Sequence, residues 1–109
     1  MPTGNLFANI PDTSAGERFE DLVRFRRARI ERIASGGHAS PEGFWYDQAH
    51  DEWVALLCGS AILETEGPDG VTGLKAGDWL LIPAGVRHRV ADVSADAVWL
   101  AVHAGENIE

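Results

Sequence analysis

Through most of the chain, apolar and polar residues alternate in short runs, the period of strands that bury one face. Arg29-Ile30-Glu31-Arg32-Ile33 is short and charged on one side, and Ser35-Gly36-Gly37 stops it. Phe44-Trp45-Tyr46-Asp47-Gln48 reads as an aromatic-rich strand. Glu52 to Cys58 is apolar nearly throughout, as a strand covered on both faces would be. Ala61 to Glu66 and Val71 to Lys75 flank Gly67-Pro68-Asp69-Gly70, a turn sequence that predicts a hairpin. Trp79 to Pro83, Arg87 to Val93 and Val98 to His103 follow, with breaks at Ala84-Gly85 and Ser94-Ala95-Asp96. Strands this short, closely spaced and punctuated by glycine describe an all-β sandwich or barrel.

The N-terminal stretch departs from that period. Met1 to about Ser14 reads as an arm, rich in Gly, Pro, Asn, Thr and Ser. Ser14 followed by Glu17 has the spacing of a capping box, and Phe19, Leu22 and Val23 then fall at helical intervals. The spacing predicts a short helix from Ala15 to about Phe25, so residues 1–26 are expected to form an arm and helix and residues 27–109 the barrel.

The chain has 109 residues, which suits one domain, and 45% of them are hydrophobic, enough to close one core. Its net charge of -8 argues against non-specific binding to nucleic acid or anionic membranes. Six of the eight arginines lie before residue 33, a cluster better suited to a solvated or inter-subunit face than to an RNA-binding arm without interleaved aromatics. The lone Cys58 leaves no internal disulfide and fits a reducing compartment. No apolar run approaches the ~20 residues of a membrane span, and the N-terminus lacks the features of a signal peptide. A cytoplasmic protein is expected.

Two segments could carry chemistry. Glu52 opens a strand that is otherwise apolar, and a carboxylate there must be paired, hydrated or bound to a cation. Alternation puts Glu52 on one face with Val54, Leu56 and Cys58, and puts Tyr46 with Gln48. A turn at Ala49-His50-Asp51 would form a hairpin and bring Gln48, and Tyr46 near it, opposite Glu52. In the second segment Gly77 and Gly85 supply turns, Pro83 ends a strand, and His88 opens the next on the side of Val86 and Val90. A histidine on an apolar face is more often a hydrogen-bonded core residue than a ligand. His103, beside Trp99 and Ala101, is read as structural or exposed, and His38 as solvated.

The second segment, Gly77-x5-Pro83-x-Gly85-x2-His88, resembles the second motif of the cupin superfamily, and Glu52-x6-Gly59 resembles the end of the first. The resemblance spans roughly residues 40 to 103 and extends to small single-domain bacterial cupins. It implies a double-stranded β-helix, or jelly-roll barrel, with a mononuclear divalent-metal site. The family's His-x-His pair falls on Tyr46 and Gln48, or on Trp45 and Asp47 with the other spacing, and neither pair contains histidine. The resemblance therefore implies metal ligands Gln48, Glu52 and His88, with Tyr46 or His50 at the edge as proton donor or acceptor. The family's three-His-plus-carboxylate site suits iron, manganese, nickel or zinc, and a site of Gln48, Glu52 and His88 would bind such an ion more weakly or not at all.

Two functions follow from the same residues. One is a metal-dependent oxygenase or isomerase acting on a small molecule. The other is a non-catalytic barrel that binds a small ligand, its first motif having lost the metal. Retained Glu52 and His88 favour the first, and the missing His-x-His favours the second. The resemblance also implies a homodimer formed through the outer sheet faces.

Overall fold

The computed structural model describes every residue except Asp69, Asn107 and Glu109. Among the described residues the regular structure is all β: β1 Arg18–Arg24, β2 Ala28–Ala34, β3 Asp51–Cys58, β4 Ser60–Thr65, β5 Val71–Lys75, β6 Trp79–Ile82, β7 His88–Val93 and β8 Val98–Ala104. They form two antiparallel sheets, one of order β1-β2-β8-β3-β6 and one of order β5-β4-β7. The inner faces pack as a jelly roll around Ile33, Val54, Leu56, Leu63, Ile82 and Trp99. Among the described residues, no helix is long and apolar enough to cross a membrane.

The helix expected over Ala15 to Phe25 is instead the edge strand β1, paired with β2 from Arg18↔Ala34 to Arg24↔Arg29 with an irregularity between Asp21 and Val23. Its local signals are used otherwise. Ser14 gives its backbone N–H to Asp12 Oδ1 at 2.9 Å, a turn rather than a helix cap. Glu17 faces Tyr46 instead of the backbone behind it. Ladder bonds to β2, reinforced by the buried Arg32 on Glu20 (2.9 Å), outweigh a single capping box. Arg32 also donates to the carbonyls of Leu6, Ala8 and Asn9, so one member of the arginine cluster ties down the arm.

The stretch Phe44–Gln48 is not a full strand, and the hairpin it was expected to form with residues 52–58 does not occur. β3 already has β8 and β6 as its two neighbours. The stretch instead crosses to β7 through a single bridge, Tyr46↔His88, with Gly85 N–H donating to the Gln48 carbonyl at 2.8 Å. The β4–β5 hairpin is present, closed by Thr65 N–H on the Gly70 carbonyl at 2.7 Å; Asp69 of its turn lies outside the described residues.

Between β3 and β4 the chain turns on Gly59, whose φ of +87° lies in the left-handed region. An added Cβ would meet Ser94 Oγ and stand 2.8 Å from Ala97 Cα. Ser94 Oγ cannot retreat, since it accepts from Ser60 N–H at 2.9 Å and donates to Asp96 at 2.7 Å. Gly59→Ala is expected to lower unfolding stability by more than about 1 kcal/mol. Gly77→Ala, at φ +95° with open space around it, is expected to cost less. Urea unfolding of the two variants checks the order, and equal losses would mean that the close approach at Gly59 is inconsequential.

Candidate functional site

Strand register across the five-stranded sheet assembles the site. Arg29 on β2 lies opposite His103 on β8, which lies opposite Glu52 on β3. Two residues along, Glu31 lies opposite Ala101, which lies opposite Val54. The small Ala101 leaves room for the Glu31 carboxylate to turn toward His103. Glu31 Oε1 accepts from His103 Nε2 at 2.6 Å, and Glu31 Oε2 accepts from Arg29 Nη1 at 2.9 Å. These side chains face a cavity of about 310 Å³, whose walls also include Glu17, Phe19, Tyr46, Gln48, Trp99 and His88.

Glu52 is 8% exposed and stands at the centre. Its Oε1 accepts from Gln48 Nε2 at 2.9 Å and lies 3.5 Å from His88 Nε2. Its Oε2 lies 3.8 Å from His103 Nε2. Burial alone would raise the Glu52 carboxyl, but His88, Gln48 and the charge of His103 outweigh it and hold it below the ordinary carboxylate value. Burial likewise opposes protonation of His88, yet the Glu52 carboxylate and the Val86 carbonyl raise it above an ordinary imidazole. The two groups therefore stabilise each other as an ion pair.

The structure brings Gln48, Glu52, His88 and Tyr46 together, as the residue pattern implies, although through a loop crossing rather than a hairpin. The Tyr46 ring stacks on His88 with centroids 5.4 Å apart, and its hydroxyl points to Glu17 Oε1 at 3.4 Å. His50 reaches the site only through His103, its Nε2 lying 2.8 Å from His103 Nδ1. Burial, then His103 and Arg29, lower the His50 pKa, so it meets His103 as a neutral ring.

Two members, Glu31 and His103, were not foreseen. Their signal was present in the alternation. Arg29, Glu31 and Ile33 share a face, as do Trp99, Ala101 and His103, and the apolar member of each set marks the face as internal. His103 is buried rather than exposed. Ligand atoms of Glu31, Glu52 and His103 lie within 4.8 Å of one another, so this buried group could hold a metal ion. Its carboxylate and imidazole donors suit a divalent first-row metal.

A two-sheet antiparallel barrel with a carboxylate–imidazole cluster inside defines the class. Among solved structures, the chain is 47% identical to a "putative mannose-6-phosphate isomerase" of Ralstonia eutropha JMP134, covering 95% of this chain and 98% of that one, with a TM-score of 0.89. The chain belongs to the cupin family. It is also similar to an RmlC-like cupin of Desulfovibrio desulfuricans (19% identity, 95% and 96% covered, TM-score 0.78). KdgF from a Halomonas species is a further match (17% identity, 86% and 84% covered, TM-score 0.72). These two likenesses show the fold alone. No protein-family profile matches the chain, and no curated protein sequence does.

Tyr46 is the chain's only tyrosine, so its ionisation can be followed directly. Burial, followed by the charge and hydrogen bond of Glu17 and the nearby Glu52 and Glu31, pushes its phenol up to about 12. A phenolate absorbance titration, with circular dichroism confirming the fold at each pH, is expected to show that midpoint. Glu17→Gln is expected to lower it. A wild-type midpoint near the ordinary value of about 10 in the folded protein would show that the hydroxyl faces solvent.

Proposed function

We propose that the protein is a cupin with one divalent metal ion, acting as an isomerase on a small oxygen-rich molecule. The carrying observation is that ligand atoms of the buried Glu31, Glu52 and His103 lie within 4.8 Å of one another on the cavity wall. Glu52, His103 and Glu31 would hold the ion. His88 and Gln48 fix the other oxygen of Glu52, while Arg29 offsets the charge of Glu31. The ion, when bound, supplies a Lewis acid that polarises a carbonyl or hydroxyl oxygen.

The remaining groups handle protons. The Tyr46 phenol keeps its proton through the physiological range and donates it at Oη. Burial raises the Glu17 carboxyl, which suits it to accept a proton at Oε1 from the same region. With Nε2 given to the ion in place of its proton, the His103 ring would carry its proton on Nδ1 and donate it to His50 Nε2, so His50 positions the ring. The isomerase reading over the oxygenase reading rests on this donor–acceptor pair and on the name of the Ralstonia relative. The non-catalytic barrel remains the alternative if no metal binds.

Metal content by elemental analysis, on protein purified without a histidine tag, is the test. Stoichiometric iron, manganese, nickel or zinc is expected in the wild type and lost in Glu52→Ala and His103→Ala. His88→Ala is expected to keep part of it. Loss in His88→Ala with retention in His103→Ala would place the ion on Gln48, Glu52 and His88 instead. A wild type that takes up no divalent ion overturns the metalloenzyme reading.

A homodimer belongs to the same proposal. Because Glu52 and Val54 face the cavity, Trp53 faces outward, where it meets Trp79 with ring centroids 6.0 Å apart. Trp79 is 62% and Leu81 55% exposed, and Leu100, Val102 and Ile30 continue the apolar face across the sheet. On a chain of net charge -8, this uncharged face is where two like-charged copies can meet about a twofold axis. Light scattering at micromolar concentration is expected to give about twice the 11.8 kDa chain mass. Trp79→Glu with Leu81→Glu is expected to return the monomer. A monomeric wild type removes the dimer.

A further inference from the structure

We infer that the cavity takes an uncharged polyhydroxylated molecule of about sugar size and excludes its phosphorylated form. This names a substrate class for the site proposed above and rests on that reading. The inference comes from the wall's hydrogen-bond inventory. Carboxylates of Glu17, Glu31 and Glu52 all face the cavity. Each has two oxygens and about four lone-pair directions.

Each donor group on the wall already has at least one acceptor, His88 on Glu52 and His103 on Glu31 among them. The N–H groups left on Arg29 and Gln48 are fewer than the lone pairs left on three carboxylates. Gln48 Nε2 is on Glu52 (2.9 Å), Tyr46 Oη is directed at Glu17 (3.4 Å), and Trp99 Nε1 is on Ser35 (2.9 Å). Arg29 Nη1 lies between Glu31 at 2.9 Å and Asp21 at 3.5 Å. Acceptor capacity is therefore left over, and the cavity's occupant must supply donors. Hydroxyl groups do so without charge.

Charge removes the neighbouring classes. A phosphate or carboxylate would face three acidic side chains. The cationic groups among the described wall residues are already paired, Arg29 with two carboxylates and His88 with Glu52. The charge of a divalent ion would be formally matched by Glu31 and Glu52. Like charges brought together in a buried site are strongly disfavoured. An ammonium ligand would compete with the divalent ion for Glu52 and would face Arg29. The rings of Tyr46 and Phe19 offer apolar surface for the C–H face of a polyol. At about 310 Å³ the cavity lies at the small end of ligand pockets, which suits a monosaccharide-sized molecule rather than a larger one.

The test is calorimetry on the purified protein, with metal content measured on the same sample. The probes are D-mannose, D-fructose, their 6-phosphates and inorganic phosphate. At least one neutral sugar is expected to bind in the millimolar range or tighter, and its 6-phosphate at least about tenfold more weakly. Glu17→Gln is expected to narrow that gap, since it removes one of the three charges while leaving the others. The inference is overturned if a 6-phosphate binds as well as or better than its neutral sugar, or if neither neutral sugar binds. Metal-free protein that still prefers the neutral sugar sinks the metal reading and leaves this inference standing. Metal-bearing protein that prefers the phosphorylated form sinks this inference alone.

Discussion

A single buried carboxylate, that of Glu52, is the constraint around which the interior is arranged. Placed on a strand that packs on both sides, it would carry a large desolvation penalty without partners. The chain brings those partners from separate elements: Gln48 from the crossing loop, His88 from the start of β7 and His103 from β8. Each arrives by backbone pairing. The Tyr46–His88 bridge ties the loop to β7, and the β3–β8 register sets His103 directly across from Glu52. Losing Glu52 would leave the Gln48 amide and His88 Nε2 without their shared partner, while His103 would keep Glu31 and His50.

The two oxygens of Glu52 separate two sets of groups. One oxygen is held by Gln48 and His88, the residues at the positions that the cupin motifs specify. The other faces His103 and, through it, Glu31 and Arg29. Tyr46 and Gln48, one of the two pairs that fall where histidines would be expected, thus do not leave the pocket without ligands. They turn one side of it into a hydrogen-bonding wall, and the row from β2 through β8 supplies imidazole and carboxylate on the other. The charge balance follows, since Arg29 beside Glu31 keeps two nearby carboxylates from repelling each other uncompensated.

Much of this was legible in the residues and some was not. Period-two alternation and glycine punctuation located β2 through β8 closely, and the Gly77-to-His88 spacing identified the barrel. The helix expected at Ala15 to Phe25 shows the limit. Capping and spacing are local signals, whereas the β1–β2 ladder depends on partners as far apart as Arg18 and Ala34 and on Arg32 being buried against Glu20. The strand expected at Phe44 to Gln48 failed for a topological reason, because both edges of β3 were taken. Glu31 and His103 were overlooked because each looks ordinary on its own strand. Only the cross-strand register, which no single segment encodes, makes them neighbours of Glu52.

That register also decides how far the likeness to the Ralstonia protein reaches. Identity of 47% over nearly the whole chain carries the barrel and its strand pairing. It does not by itself carry a reaction, because cupin barrels host unrelated chemistries on the same frame. This chain's own interior holds three carboxylates, one paired guanidinium and two imidazoles around a small cavity. Under the proposed reading, a charged phosphoryl group is the feature such an interior would recognise least well. The fold therefore sets where chemistry can occur, and the surplus of acceptors on its wall sets what can enter.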